Sequence, residues 1–284
     1  MNSEANTESP VAAAVAVARA HGIRCQRPIV LRQAWHVLVH LAPAPVVARV
    51  SSGIPFPEGP RPDDVVRELY VARHAALGGA PVIPPTDDPD PGPHAHEGHV
   101  VTFWRYAAPH GDVDPGEAGR DLRVIHDALL DYDGPALPPA GHPGDVVEML
   151  ADVPESADVE LLRRIAARQP RLGGQALHGD AHLGNVLRAG DDQYWHDLES
   201  TCRGPREYDL AALVCLDRLE GDEPAARSAL AAYGPHDDEL VDELIPVYAA
   251  WVYASFLLTL SRRPELEPIL TDRLGRLRRF SDER

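Results

Sequence analysis

Lysine is absent from the whole 284-residue chain, so all 27 basic side chains are arginine. That absence excludes a G-x-x-x-x-G-K-[ST] phosphate loop and a pyridoxal phosphate Schiff base, since both need the lysine amine. G-x-G-x-x-G and G-x-S-x-G are missing too, which removes the usual support for a dinucleotide-binding domain or an α/β-hydrolase. The cysteines are few, odd in number and widely spaced (Cys25, Cys202 and Cys215), so neither a disulfide framework nor a zinc cluster is expected, and a reducing, cytoplasmic setting suits them. "MNSEANTESP" lacks the basic, apolar start of a signal peptide, and no apolar run is expected to approach a bilayer-spanning length, so no membrane partner is expected. Positive charge is also short, with 27 basic against 44 acidic side chains and a net charge of -17. Such a surface repels a nucleic-acid backbone and attracts a cationic small molecule. Asparagine is nearly absent: beyond residue 6 it occurs once, as Asn185 in "LHGDAHLGNVL".

What is present divides into two lobes, which this length accommodates. In the first, Ser9, Pro10 and Gly22 bracket a helix over "VAAAVAVARAHG". "PIVLRQ", "WHVLVHL" and "PVVARVS" read as an antiparallel meander. "RPDDVVRELYVARHAALGG" carries Val66, Leu69, Arg73 and Leu77 at helical spacing, and "HVVTFWRYA" reads as a further strand. From Asp114 the pattern turns helical, with a capping-box pair of Asp114 and Glu117 ahead of Leu122, Ile125 and Leu129. "ELIPVYAAWVYASFLLTL" reads as a buried helix, and between the helical parts "QALHGD", "NVLRA" and "YWHDLES" read as short strands joined by tight turns.

Asp180, Asn185 and Asp197 form a constellation: a carboxylate, an amide oxygen five residues on, and a second carboxylate after another strand-like segment. Phosphoryl transfer needs one Asp to orient the attacking hydroxyl, and an Asn and an Asp to hold Mg²⁺ on the phosphates. "LHGDAHLGNVL", followed by "WHDLESTCRGPREYDLAAL", resembles the aminoglycoside phosphotransferase family and its choline kinase-like relatives. The resemblance implies an α+β, bilobal protein-kinase-like fold. Its β-rich N-lobe with an antiparallel sheet would span residues 1–106, and its larger, mainly helical C-lobe residues 107–284.

The resemblance also implies ATP as donor, with GTP as the alternative, Mg²⁺, and a small-molecule hydroxyl as acceptor, in a monomer or homodimer. It makes Asp180 the catalytic base, Asn185 and Asp197 the metal ligands, His178 a structural histidine and Asp209 of "EYDLA" a buried scaffold residue. Arg49 falls where the family's basic residue meets the nucleotide phosphates, and Glu68 where the partnering helix carries its Glu. Trp104, Arg105, Tyr106 and Ala107 match the hinge that hydrogen-bonds adenine through main-chain atoms. The stretch that covers the phosphates, Gln33 to His36 within "LRQAWHVLV", has no glycine, a departure from the protein-kinase pattern. The acceptor stays open between an aminoglycoside or other cationic antibiotic and a metabolic amino sugar or amino alcohol. A nucleotide-binding pseudokinase is the non-enzymatic alternative.

Other residues invite a second reading. His94, His96 and His99 in "PHAHEGHV" are a candidate transition-metal site or a solvated hairpin loop. His126 reads as a satisfied core histidine, Trp251 and Tyr253 as core or acceptor-pocket aromatics, and Glu199 as a metal-site orienter or a backbone partner.

Overall fold

The fold is known from a computed structural model that describes residues 9–33, 36–51, 61–167, 173–221, 223–260 and 263–282. Helix α1 (Pro10–Ala20) starts and stops on the expected signals: Ser9 Oγ accepts the amide of Ala12 at 3.2 Å, Pro10 needs no partner in the first turn, and Gly22 leaves at φ +74°. Strands β1 (Cys25–Gln33), β2 (His36–Pro43) and β3 (Val46–Ser51) form the meander. After helix α2 (Pro62–Leu77), the hairpin of β4 (His94–His96) and β5 (His99–Arg105) completes an antiparallel sheet in the order β1-β2-β3-β5-β4. The β4–β5 turn, Glu97-Gly98, has φ of 45° and 82°, as a two-residue hairpin turn requires.

The period of two in β3 divides its work. Val46, Ala48 and Val50 face α1 and pack with Val39, Leu41 and Phe103 against Ala14, Val17 and Ala18. Each large side chain buried there contributes about 1.5–3 kcal/mol. Val47 and Arg49 therefore face the other way, into the cleft beneath the sheet. The buried stripe of α2 differs from the expected one. It runs Val65, Glu68, Leu69, Ala72 and Ala75, while Leu77 is exposed, because small alanines and an ion-paired Glu fit the close approach where Val66 and Leu77 were expected.

The rest of the chain is mainly helical: α3 (Pro115–Ala128), α4 (Pro143–Met149), α5 (Ala157–Ala167), α6 (Glu207–Glu220), α7 (Pro224–Tyr233), α8 (Asp238–Thr259) and α9 (Glu267–Asp282). Asp114 caps α3 through the amides of Gly116 and Glu117, but the reciprocal half of the box is missing. Gln193 takes the Asp114 amide, and the Glu117 carboxylate pairs with Arg188 instead. Between α5 and α6 two small antiparallel ladders carry the motif: β6 (Gln175–Leu177) with β9 (Cys202–Gly204), and β7 (Val186–Ala189) with β8 (Asp192–Trp195). The expectation about apolar runs needs correction at α8, which is long and apolar enough to cross a bilayer by length and composition. Half of that apolar stretch is buried in the protein, where α8 packs on α4, α5, α6 and α9.

Candidate active site

The loop after β6 is held from below. Asp209, fully buried in the first turn of α6, accepts the amides of His178 at 2.9 Å and Gly179 at 2.8 Å, and the ring of His126 at 2.9 Å. His126 also meets the Tyr233 hydroxyl at 2.7 Å, so it is the satisfied core histidine expected. His178 accepts from the Asp180 amide at Nδ1 and donates from Nε2 to the His196 carbonyl, which sets a neutral tautomer. Burial also pulls its pKa below the usual imidazole value, against the opposing pull of Asp209. Gly179 has no substitute here: φ is +87°, and a Cβ would lie 1.8 Å from the Ser200 carbonyl oxygen.

That scaffold presents Asp180. Its Oδ1 accepts from the Tyr248 hydroxyl of α8 at 2.6 Å, and its Oδ2 accepts from Asn185 Nδ2 at 3.2 Å and lies 3.6 Å from His182 Nε2. Burial raises the Asp180 pKa, but His182 and Tyr248 together outweigh it and hold the group below the usual carboxylate range. Asn185, 2% exposed, also donates Nδ2 to the Asp180 carbonyl at 2.9 Å. Two acceptors on one side assign nitrogen there, so the amide oxygen is the atom turned elsewhere.

Asn185 and Asp197 flank the β7–β8 hairpin, which brings them together. Val186 pairs with Trp195, and one step beyond, the His196 amide donates to the Asn185 carbonyl at 2.9 Å. Asp197 follows directly, in the left-handed region at φ +68°. A non-glycine residue there stores about 1–3 kcal/mol of strain, a common mark of a functional position.

Above this floor, Arg49 donates to Glu68 and to Glu199 and lies 3.6 Å from Asp197, while His36 pairs with Glu199 at 2.5 Å. Three carboxylates share one guanidinium. Burial lifts Glu68 to about 8, with Glu199 and Asp197 adding to the rise and Arg49 opposing it. Burial and Glu199 raise Asp197 as well, while His36 and Arg49 overcome burial to depress Glu199. The cluster is short of positive charge, and the oxygens of Asp197 and Asn185 are hard donors of the kind Mg²⁺ takes, while Glu68 and Glu199 are already engaged by Arg49.

A cavity of about 270 Å³ lies between the sheet and the β7–β8 floor. Arg49, Glu68, Trp104, Tyr106, Ala107 and Asp197 all line it; Asp180 and Asn185 do not, although Gly184, the neighbour of Asn185 in the chain, does. The four hinge candidates differ in their main-chain groups, the Arg105 amide donating to the Pro84 carbonyl at 3.1 Å. Trp104 sits in β5 opposite Val47, the Tyr106 amide donates to the Pro45 carbonyl at 2.9 Å, and the Ala107 amide has no backbone partner among the described residues. Gln33 is exposed at the end of β1, and Ala34 and Trp35 of the phosphate-covering stretch lie outside the described residues. His94 is turned onto His21 and Phe103, and no cluster of three or more metal-ligating side chains occurs among the described residues.

Sequence reasoning passed over Tyr248 and His182, and read His36 only as the end of the phosphate-covering stretch. Tyr248 lies three residues before Trp251 on α8, and helical spacing alone does not mark which aromatic reaches the loop. Cys202 and Cys215 are buried and Cys25 half-buried, all as free thiols.

No curated protein matches the chain. Solved structures that it resembles include the amicoumacin kinase hAmiN in complex with AMP-PNP, Ca²⁺ and Ami, at TM-score 0.70 and 11% identity over 93% of this chain and 92% of that one. Choline kinase LicA from Streptococcus pneumoniae aligns at TM-score 0.68 and 13% identity over 95% and 99%. A thermostable mutant of aminoglycoside phosphotransferase APH(4)-Ia, in ternary complex with ADP and hygromycin B, aligns at 0.64 and 15% over 94% and 97%. These likenesses establish the protein-kinase-like α+β fold. The model of the phosphotransferase enzyme family matches residues 4–244, and the chain belongs to that family.

Proposed function

We propose that this chain is an ATP- and Mg²⁺-dependent kinase that transfers the γ-phosphate to a hydroxyl of a small molecule, with its two lobes meeting after Tyr106. The observation that carries the reading is the pairing of Asp180 with Asn185, whose nitrogen is committed to Asp180 while the hairpin sets Asp197 beside it, against a cavity lined by Arg49. The presence of AMP-PNP and ADP in the related structures supports a nucleotide in that cavity.

In this mechanism the Ala107 main chain, with Trp104 and Tyr106 around it, receives the adenine. Arg49, held by Glu68, would meet the phosphates as its pairs with Glu199 and Asp197 give way. Asn185 and Asp197 would hold Mg²⁺, which when bound neutralises phosphate charge. Asp180 is a carboxylate at neutral pH and accepts the acceptor's hydroxyl proton as that oxygen bonds to the γ-phosphorus and the bond to the β–γ bridging oxygen breaks. Tyr248 and Asn185 fix the carboxylate in place, so positioning and charge neutralisation provide most of the acceleration.

Asp180→Ala is expected to abolish phosphorylation of any acceptor while leaving AMP-PNP affinity within about threefold, since positioning of the nucleophile is lost and the nucleotide contacts are not. Mass spectrometry for a phosphate adduct, together with calorimetric nucleotide titration, checks both halves. Near-normal turnover in that variant overturns the assignment.

A further inference from the structure

A second cavity, of about 320 Å³, lies on the other side of the catalytic loop, between α6 and α8. Gly184 lines both cavities, and His182 and Tyr248, the two side chains nearest the Asp180 carboxylate oxygens besides Asn185, line the second. An acceptor hydroxyl reaching Asp180 therefore has its body in this space. The inference rests on the phosphotransfer reading above.

The walls of this cavity are mostly hydrocarbon and aromatic: Leu213, Leu216, Val252, Phe256 and Tyr253. Charged groups are few. Arg273 is neutralised by Glu220 at 2.9 Å, outside the lining, and Glu223 is the single acid among the lining residues. The Glu223 carboxylate has no ion-pair partner among the described residues. Nearby Asp217 is already taken by Arg227 and the Glu223 amide.

We propose that this cavity takes an alcohol with a mainly hydrocarbon body and at most one cationic group, the cation being received by Glu223. A polycation with three or more ammonium groups would surrender the hydration of each, yet find one carboxylate in the wall. An apolar body gains from every contact, and the volume lies at the small end of ligand sites. The overall charge of -17 is a sum over the whole chain and does not make this wall, with Glu223 as its single lining acid, acidic.

Calorimetric titration of the full chain tests this with phenylalaninol and tryptophanol, each with one ammonium, one hydroxyl and an aromatic body. Kanamycin serves as the polycation and 3-phenylpropan-1-ol as the neutral analogue. The amino alcohols are expected to bind at least tenfold more tightly than kanamycin, with a negative heat-capacity change. Glu223→Gln, at a half-buried position that tolerates an isostere, is expected to weaken them about tenfold and to leave 3-phenylpropan-1-ol within twofold. Tighter binding of kanamycin, no binding of either amino alcohol, or no effect of Glu223→Gln would overturn the proposal. A parallel titration with AMP-PNP and Mg²⁺ separates the two readings. Nucleotide binding without amino-alcohol binding removes this proposal alone, and amino-alcohol binding without nucleotide binding removes the phosphotransfer reading and leaves the cavity assignment standing.

Discussion

The loop around Asp180 and the cluster around Arg49 face one cleft but are stabilised by opposite means. Beneath the loop, Asp209 is fully buried and satisfied by two backbone amides and a histidine. Around Arg49, Glu68, Glu199 and Asp197 compete for a single guanidinium. A satisfied network in a low-dielectric interior is rigid and expensive to open. An over-subscribed ion cluster has its own strain to relieve, and a ligand cation would do so. The first device builds a fixed platform, and the second leaves a demand for positive charge in the cleft.

The largest effect is expected where the platform is broken. Asp209→Ala leaves two buried amides and His126 without an acceptor, so the expected loss of stability is about 3–5 kcal/mol, read from a urea midpoint. Activity should vanish with it, because Gly179 and Asp180 hang from those amides. A variant that keeps its midpoint would show that the loop is held by its strands alone.

The next contrast is within the cluster. Above about pH 8, where Glu68 is ionised, Arg49→Met strands this 2% exposed carboxylate without its cation, at an expected cost of about 3 kcal/mol. Arg49→Met combined with Glu68→Met should recover most of that loss, since removing both charges removes the burden of burying either. Asp209 should permit no such rescue, because two of its three partners are backbone amides. Equal rescue at both places would erase the distinction between them.

This difference also explains what was legible in the sequence. The loop and both metal-ligand candidates lie in one short segment, and the β7–β8 hairpin that joins Asn185 to Asp197 is visible as two strand-like stretches around a turn. The sheet, the helix caps at Ser9 and Asp114 and the buried α8 follow from period and punctuation. Arg49 and Glu68 came from resemblance, and the structure brings them together, but the competition from Glu199 rests on contacts across 150 positions of chain. No periodicity encodes such contacts. Tyr248 escaped for a related reason: four aromatics share α8, and only the tertiary fold shows which one meets the loop. The α2 stripe was displaced because alanine and a paired Glu can bury where a hydrophobicity pattern favours Val66 and Leu77.

A smaller effect per unit of pH comes from the shortage of positive charge. Glu68 is lifted from 4.5 to about 8, so between those values the folded chain holds a proton that the unfolded chain has released. Stability then falls as pH rises through that window, with a slope of at most about 1.4 kcal/mol per pH unit for one proton. Asp180 and Glu199, held below their ordinary values, act in the opposite sense and lose their contribution as pH falls into the acid range. Thermal unfolding of the metal-free protein from pH 5 to 8 is expected to show the alkaline decline, and Glu68→Gln or saturating Mg²⁺ should flatten it. A flat profile in the parent chain would mean that the cluster is balanced without a cation.

The most delicate test is Tyr248→Phe, which removes one hydroxyl and almost no volume. Its bond to Asp180 Oδ1, at 2.6 Å, is made to a charged acceptor, so its loss is expected to lower kcat about tenfold. Asn185 still anchors Oδ2, which keeps the loss far short of that in Asp180→Ala. The cavity proposed for the nucleotide lies on the other side of Gly184, so the nucleotide KM should stay within twofold, whereas KM for the acceptor rises if Tyr248 also forms the wall of the second cavity. A fall in kcat with an unchanged acceptor KM would confine Tyr248 to holding the carboxylate. A change in nucleotide KM instead would couple the platform to the Arg49 cluster and break the separation between them.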